Sequence, residues 1–176
     1  GGQNTAGLQW KTSQTQTSGT SSLNDGVANT QAMVNAGISD HPAAQFCKNL
    51  TIGGFNDWYL PSVDELEICY RYLKPDTTAN YVDASNGPNG AQGYNPSSDP
   101  VGAAYTTSVP ARTSVSAFIT GGGEAFSVSN YYWTSTEYAP NPAGYAWLQY
   151  FGNGFQYFNY KDNAFFVRGV RRVLIS

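Results

Sequence analysis

The sequence predicts an α+β fold, in which two main helices precede an antiparallel meander of three or four strands. Apolar residues recur at helical spacing in residues 42–50 and 62–73. From Tyr131 onwards, short runs rich in Tyr, Phe, Trp and Val alternate with turn residues, which is typical of consecutive strands. A chain of 176 residues fits one domain with an ordinary core.

The composition is typical of an extracellular or virion protein. Charged residues make up only 12%, whereas aromatic residues reach 15%. The net charge of −3, without a basic block, makes nucleic acid and anionic membranes poor candidates for partners. No stretch approaches the roughly 20 apolar residues of a membrane span, so no membrane insertion is expected. Because the chain begins at Gly1 without Met, we expect a piece of a longer polypeptide.

Residues 1–22 are polar and low in complexity, and only Leu8 and Trp10 are large apolar anchors. We predict a short strand over Leu8–Lys11 followed by a loop. A wholly flexible linker is the alternative, because polar tracts bury little apolar surface. The predicted organisation is therefore a leading segment at 1–22 and a single domain at 23–176.

The first helical segments follow Leu23. Val27–Ala36 has helical composition and ends at Gly37. Pro42 suits the first position of a second helix, and His41 is expected to belong to its cap. The apolar residues of this second helix share one face, which predicts core. They are Ala43, Phe46, Cys47 and Leu50.

Ser62-x-x-Glu65 is a capping box, which predicts the start of another helix that ends before Pro75. Its apolar face is Val63, Leu66, Cys69, Tyr70 and Leu73. Four acids cluster here, and two of them have capping or helix-dipole roles available, which we favour over catalysis or metal binding. The four acids are Asp57, Asp64, Glu65 and Glu67. The two cysteines match no zinc motif, and we favour free buried thiols over a disulfide.

Residues 75–130 are mostly irregular, with strand candidates at Ala103–Thr107 and Ser114–Thr120 and a turn at residues 121–123. The terminal region contains four predicted strands, and its first hairpin turn is residues 152–154. The strands are Tyr131–Ser135, Tyr145–Phe151, Phe155–Lys161 and Ala164–Leu174.

Three blocks of the sequence resemble one known family. Residues 53–66 read GGFNDWYLPSVDEL, similar to the GY-x-DWRLPT-x-EL signature of the Lcl-type C-terminal domain family. Residues 132–136, YWTST, resemble its YWSST. Ala146-Trp147, Phe151, Gly154 and residues 167–171, VRGVR, resemble its closing pattern. The blocks occur in the family's order over residues 47–171.

The resemblance implies a C-type-lectin-like fold, in which two main helices flank a small twisted antiparallel sheet with long loops. It also implies a place at the tip of a phage tail fibre or a collagen-like bacterial adhesin, where relatives bind cell-surface polymers. Tyr59 stands where the family has Arg, so an ion pair of that Arg is expected to be absent. The calcium signatures of true C-type lectins are missing, so calcium-dependent sugar binding, and any other cofactor, is not expected. Related formylglycine-generating enzymes act through C-terminal cysteines, and this chain has none after Cys69.

The leading hypothesis is a non-catalytic receptor-binding domain at the distal end of a phage tail fibre, recognising a host cell-surface glycan or outer-surface protein. Tyr and Trp offer rigid contact area, and Asn and Gln offer hydrogen bonds. A packed sheet position is the alternative for each tyrosine. The candidate contact residues are Tyr138, Asn141, Tyr145, Tyr150, Asn153, Gln156, Tyr157, Asn159 and Tyr160.

Three other functions stay open. A bacterial surface adhesin differs from the phage protein only in its context. An assembly domain would bury the aromatic surface between sister chains, for example in a homotrimeric fibre. A polysaccharide depolymerase would need a carboxylate pair, and Glu124 and Glu137 are the acids in the aromatic half that we consider for it. The arginines near the C-terminus are assigned mainly to structural hydrogen bonds, with an acidic ligand as the alternative. They are Arg168, Arg171 and Arg172.

Overall fold

A computed structural model describes residues 2–82 and 105–173, and it confirms the α+β class. The described helices are α1 (Gly26–Gly37), α2 (Pro42–Lys48) and α3 (Val63–Leu73), with single 3-10 turns at Ile38–Asp40 and Ser116–Phe118. The strands are β1 (Gln3–Gln9), β2 (Tyr131–Glu137), β3 (Tyr145–Tyr150), β4 (Gln156–Tyr160) and β5 (Ala164–Arg168). In these two ranges no helix is long and apolar enough to cross a membrane.

The sheet has five strands in the order β1-β5-β2-β3-β4, and it is mixed. Strands β2, β3 and β4 form the predicted antiparallel meander. The prediction of an entirely antiparallel sheet is wrong, because β5 pairs in parallel with β2 at Tyr132↔Phe166. After β4 the chain crosses the sheet, and β5 lies between β2 and β1. In that position β5 runs parallel to β2.

Residues 2–22, which we treated as a leading segment, are built into the domain. Strand β1 pairs with β5 from Gln3↔Arg168 to Gln9↔Ala164, so the predicted strand exists but starts earlier. Trp10 is fully buried, and its Nε1 donates to Thr134 O at 2.8 Å. A wholly flexible linker is therefore wrong, because one large apolar side chain anchors the segment.

Two apolar cores lie on opposite faces of the sheet. Neighbouring strand residues point to opposite faces, and Tyr132 and Trp133 belong to different cores. The core on the Trp133 side packs α1, α2 and Trp10 against the sheet. The core on the Tyr132 side packs α3 and Phe126. The centre of the sheet is thus covered on both faces, which buries the large side chains of Tyr132 and Trp133.

The predicted turn and cap chemistry is present around α3. Gly53 and Gly54 have φ of 62° and 82°, which favours glycine. Ser62 and Glu65 form the capping box. His41 occupies the N-cap position of α2, as predicted, but its ring makes no capping bond. The ring instead bridges Gly37 O and Thr17 Oγ1, each at 2.8 Å, because it is buried between those two loops.

The predicted strand at Ser114–Thr120 is wrong, because a 3-10 turn begins at Ser116 and Phe118 N bonds to Val115 O. Of the predicted strand at 103–107, residues 103 and 104 lie outside the described residues, and residues 105–107 are not in a strand.

The cysteines are free thiols, as expected. Burial raises the pKa of Cys47 well above its ordinary value and that of Cys69 to about 12. Both thiols are therefore protonated at neutral pH, which removes the thiolate that nucleophilic chemistry requires.

Candidate functional site

A continuous chain of aromatic ring contacts follows strand β4, which lies at one edge of the sheet. We call it the aromatic strip. Its central contact is the stack of Phe158 on Tyr138, with ring centroids 3.9 Å apart and planes 12° apart. The strip is formed by Tyr81, Tyr138, Tyr145, Phe155, Tyr157, Phe158 and Tyr160.

Strand pairing explains why these rings meet. Tyr145 pairs with Tyr160 and Trp147 with Phe158, so the four side chains share one face of the β3–β4 ladder. At the other end of this face, Gln149 Nε2 donates to Glu67 Oε2 of α3 at 2.7 Å. Helix α3 therefore covers the hairpin end of this face. At the other end, within residues 2–82 and 105–173, the rings of Tyr138, Tyr145 and Tyr160 pack on one another and on Phe158.

The strip combines packed rings with accessible ones. Trp147 lies beneath Tyr138 and Phe158 and is buried. Tyr157 and Tyr160 are 37% and 44% exposed. The half-buried rings hold the exposed rings in place, so a ligand would meet a rigid surface that loses little side-chain entropy on binding.

Hydroxyl and amide groups border the rings. A hydrogen bond with the Tyr160 hydroxyl raises the pKa of Tyr145. Asn141 Oδ1 accepts from Gly144 N at 3.2 Å and fixes the turn between Tyr138 and Tyr145. Asn159 Oδ1 accepts from Tyr160 N at 2.8 Å and from Asn163 Nδ2 at 2.7 Å. These bonds orient both asparagine side chains beside the rings.

The family's signature residues form a second cluster around Glu65. Its Oε2 accepts from Ser62 N at 2.8 Å and from Gly26 N at 3.1 Å. Its Oε1 accepts from the Tyr59 hydroxyl at 2.8 Å and from Arg172 Nη2 at 2.7 Å. The cluster joins the starts of α1 and α3 to the C-terminal segment, so the residues that carry the family resemblance have structural roles.

A family model of the Lcl C-terminal domain matches residues 3–171. The chain belongs to the Lcl C-terminal domain family. The match spans nearly the whole chain and indicates a C-terminal domain of an adhesin-like protein. No curated protein and no solved structure matches the chain.

Tyr59 of this Lcl C-terminal domain stands where the family has Arg, and Glu65 nevertheless has a cationic partner. Arg172 approaches Glu65 from the C-terminal segment, and its guanidinium lies 5.8 Å from the centre of the Tyr59 ring. Arg171 pairs with Asp57 at 2.7 Å, and this hydrogen bond lowers the pKa of the Asp57 carboxyl. These contacts agree with the structural roles predicted for both arginines.

Two clefts beside this cluster are weaker candidates for a site. The larger, of about 590 Å³, lies between Tyr59, Glu65 and Arg172. Arg172 in this cleft already pairs with Glu65 at 2.7 Å and with Asp25 at 3.3 Å. The smaller, of about 370 Å³, lies between Trp58, Phe118 and Arg168. Arg168 pairs with Glu124 at 2.7 Å. The charged groups of both clefts are therefore engaged within the protein.

The structure brings together six of the nine predicted contact residues at the strip. They are Tyr138, Asn141, Tyr145, Tyr157, Asn159 and Tyr160. Asn153 lies at the hairpin turn, where its Oδ1 accepts from Phe155 N at 3.0 Å and its backbone O from Tyr81 N at 2.8 Å. Tyr150 lies apart from the strip, half-buried against Tyr131, and donates to Val128 O.

The prediction that Gln156 contacts a ligand is wrong. Its side chain is 1% exposed, and its Nε2 donates to Gln149 Oε1 at 3.3 Å. The pairing of Gln149 with Gln156 directs both toward the face covered by α3, so Gln156 is not available to a ligand at the surface.

Sequence reasoning missed Tyr81, Phe155 and Phe158. Phe158 and Phe155 lack the hydrogen-bonding groups of the predicted contact residues, but strand alternation places Phe158 on the face of Tyr160. Tyr81 contacts Phe155, with ring centroids 4.6 Å apart, across a large sequence separation. A long-range contact of this kind leaves no pattern in one sequence.

A buried ion pair supports the turn beside the strip. Lys161 is fully buried and bonds to Glu137 Oε1, to Pro142 O at 2.6 Å and to Thr15 O at 3.0 Å. Its Nζ also lies 4.4 Å from the centre of the Trp10 ring. The three donors of the ammonium thus join the N-terminal loop, the end of β2 and the turn at residues 141–144.

His41 is expected to make this region less stable in mild acid. Burial, with Lys11 and Lys161 nearby, lowers its pKa below the ordinary value, against opposing effects of Gly37 O and Asp40. The unfolded chain therefore gains a proton first as the pH falls below about 6.5, and the free energy of unfolding declines. Urea unfolding between about pH 7 and pH 5 should show this decline in the wild type and less of it in His41→Gln. Equal pH dependence in the two proteins would contradict the assignment to His41, the only histidine.

Proposed function

We propose that this Lcl C-terminal domain is a non-catalytic receptor-binding domain at the distal end of a phage tail fibre, with a C-type-lectin-like fold. The proposed receptor is a host cell-surface glycan or outer-surface protein, bound at the aromatic strip. The observation that carries the proposal is the strip itself, because it presents exposed tyrosines on a rigid aromatic support. Such side chains provide large contact area at low entropic cost.

The adhesin-like family context supports a binding role. The two acids considered for a depolymerase are both engaged: Glu137 is buried and bonded to Lys161, and Glu124 pairs with Arg168. A carboxylate held in this way is poorly suited to act as a nucleophile or a general acid. These contacts favour binding without turnover. The proposed location is extracellular, on the virion tail fibre.

The test is binding of the labelled chain to a panel of bacterial strains. We expect strain-selective binding in the wild type and a loss of about tenfold or more in affinity for Tyr157→Ala/Tyr160→Ala, since each ring contributes on the order of 1 kcal/mol. The matched control is Tyr72→Ala, because Tyr72 is 72% exposed on α3 and is not one of the rings of the strip.

Equal binding to every strain, or equal losses in the control and the double variant, would refute a specific receptor site at the strip. An oligomerisation domain is the second candidate, favoured by the same exposed edge strand. It predicts a trimer in solution that dissociates in Tyr157→Ala/Tyr160→Ala, whereas the receptor-binding proposal predicts the same mass in both proteins. Sedimentation equilibrium separates the two candidates.

A further inference from the structure

We propose that the receptor is an uncharged, linear glycan chain that lies along the aromatic strip, with consecutive sugars placed against consecutive rings. This inference rests on the proposed function, because it names the ligand class of the same surface. Three properties of the strip carry it: the absence of charge, the extended path of the rings and the small exposed area.

The first property is the absence of charge. Residues 138–160, which supply every ring of the strip except Tyr81, contain no Asp, Glu, Lys, Arg or His. The charged residues at either end of this run are Glu137 and Lys161, which are buried and bonded to each other. Asp162, the next acid, accepts from Gln14 Nε2 at 3.1 Å. An acidic polymer would lose hydration here without gaining a cation, so the surface favours a neutral ligand.

The second property is the path. Successive ring contacts run from Tyr81 through Phe155 and Tyr157 to Phe158, and then through Tyr145 to Tyr160. Their centroid separations lie between 4.6 and 5.7 Å, a spacing similar to that of sugar rings in a polysaccharide. The path crosses the free edge of β4 between Tyr157 and Phe158, because neighbouring strand residues point to opposite faces. Strand β4 alone spans about 16 Å, so the strip accommodates roughly three or four sugars along this edge. An isolated terminal sugar would use only part of it.

The third property is the exposed area. Tyr157 and Tyr160 are only 37% and 44% exposed, and the other rings are half-buried. A stable protein partner needs about 800 Å² from each side, which is more than a narrow row of partly buried rings offers. A slender chain of sugars needs less contact area, because the CH face of each sugar covers a single ring. The Tyr145–Tyr160 hydroxyl pair and the bordering asparagines then suit its hydroxyl groups.

The test is an array of linear oligosaccharides, one to eight sugars long, in a neutral set (hexoses and N-acetylhexosamines) and an acidic set (uronic acids and sulfated sugars). We expect binding to at least one neutral series, with affinity that rises with length to about four sugars and then levels. The affinity should be nearly unchanged between about 0.05 and 0.5 M salt, because no charge pairs are screened.

Two variants test where the glycan chain lies on the strip. Tyr81→Ala and Tyr160→Ala alter opposite ends of the strip, and each should weaken binding of the long neutral oligosaccharide by about five- to tenfold. Neither should weaken binding of a disaccharide as much as the pair Tyr157→Ala/Tyr160→Ala does. Tyr72→Ala is again the control, and near-ultraviolet circular dichroism verifies that the variants are folded.

Binding of only the acidic set, equal affinity for one sugar and four, or receptor activity removed from cells by protease would each overturn this inference. Strain-selective binding that still depends on Tyr157 and Tyr160 would leave the proposed function standing in those cases. Absence of such binding to every strain would overturn both, so the two failures are distinguishable.

Discussion

Replacing Lys161 with Met is expected to lower the free energy of unfolding by about 3–5 kcal/mol. Lys161 is fully buried and Glu137 is 3% exposed, so neither charge is screened by water. Removing the ammonium leaves the Glu137 carboxylate with the bond from Thr17 N at 2.7 Å, and it also removes the partner of Pro142 O. Urea unfolding followed by tryptophan fluorescence measures the loss.

A double-mutant cycle separates this effect from a loss of packing. In Lys161→Met/Glu137→Gln no uncompensated charge remains, and the Gln side chain still accepts from Thr17 N. We therefore expect the double variant to be more stable than Lys161→Met alone. Additive losses in the two single variants would show that the charge pair is not the cause. Asp57→Asn breaks a solvent-exposed pair and should have a much smaller effect.

The substitution Gly26→Ala is expected to destabilise the domain by about 2–3 kcal/mol, although Ala normally favours a helix over Gly by about 1 kcal/mol. Gly26 begins α1, and a Cβ there would lie 2.3 Å from Glu65 Oε2, 2.7 Å from Ser62 N and 2.8 Å from Leu60 O. Two of these three atoms belong to the backbone and have little freedom to move. The substitution would force α1 away from the capping box of α3.

Gly123→Ala is the matched control, because nothing lies within 4 Å of its Cβ position and its φ is not positive. It should stabilise the protein slightly, by about 0.4–1 kcal/mol, through the unfolded chain. The two glycine variants should therefore change stability in opposite directions in thermal unfolding. A neutral or stabilising Gly26→Ala would show that the contact between α1 and the capping box adapts at low cost.

Local features of the fold could be predicted from the sequence, and long-range ones could not. The capping box of Ser62 and Glu65 and the hairpin turn at residues 152–154 depend on neighbouring residues, which a single sequence displays. The insertion of β5 between β1 and β2 depends on pairing between distant segments, and periodicity carries no information about it. The burial of Lys161 was equally hidden, because its partners Thr15, Glu137 and Pro142 come from three separate segments.

The candidate site also has features that could be predicted from the sequence and features that could not. An aromatic C-terminal surface could be predicted, because Tyr, Phe and Asn are dense in residues 138–160. The burial of Gln156 could not, because it depends on which face of the hairpin α3 covers. Residue type also misled the choice between Phe158 and its neighbours: hydrogen-bonding capacity suggested Tyr157 and Asn159, whereas the stack of Phe158 on Tyr138 joins both parts of the strip.

The bond from Tyr160 N to Asn159 Oδ1 has a consequence for solubility. The ladder bonds Tyr150 N to Phe155 O and Lys161 N to Gly144 O direct the odd-numbered backbone groups of β4 toward β3, so the amide of Tyr160 faces away from the sheet. An uncharged aromatic edge strand is the type that recruits foreign strands and nucleates aggregation. Asn159 occupies one amide that an incoming strand would need. The protein thereby displays an apolar edge to its surroundings while blocking part of the template for strand addition.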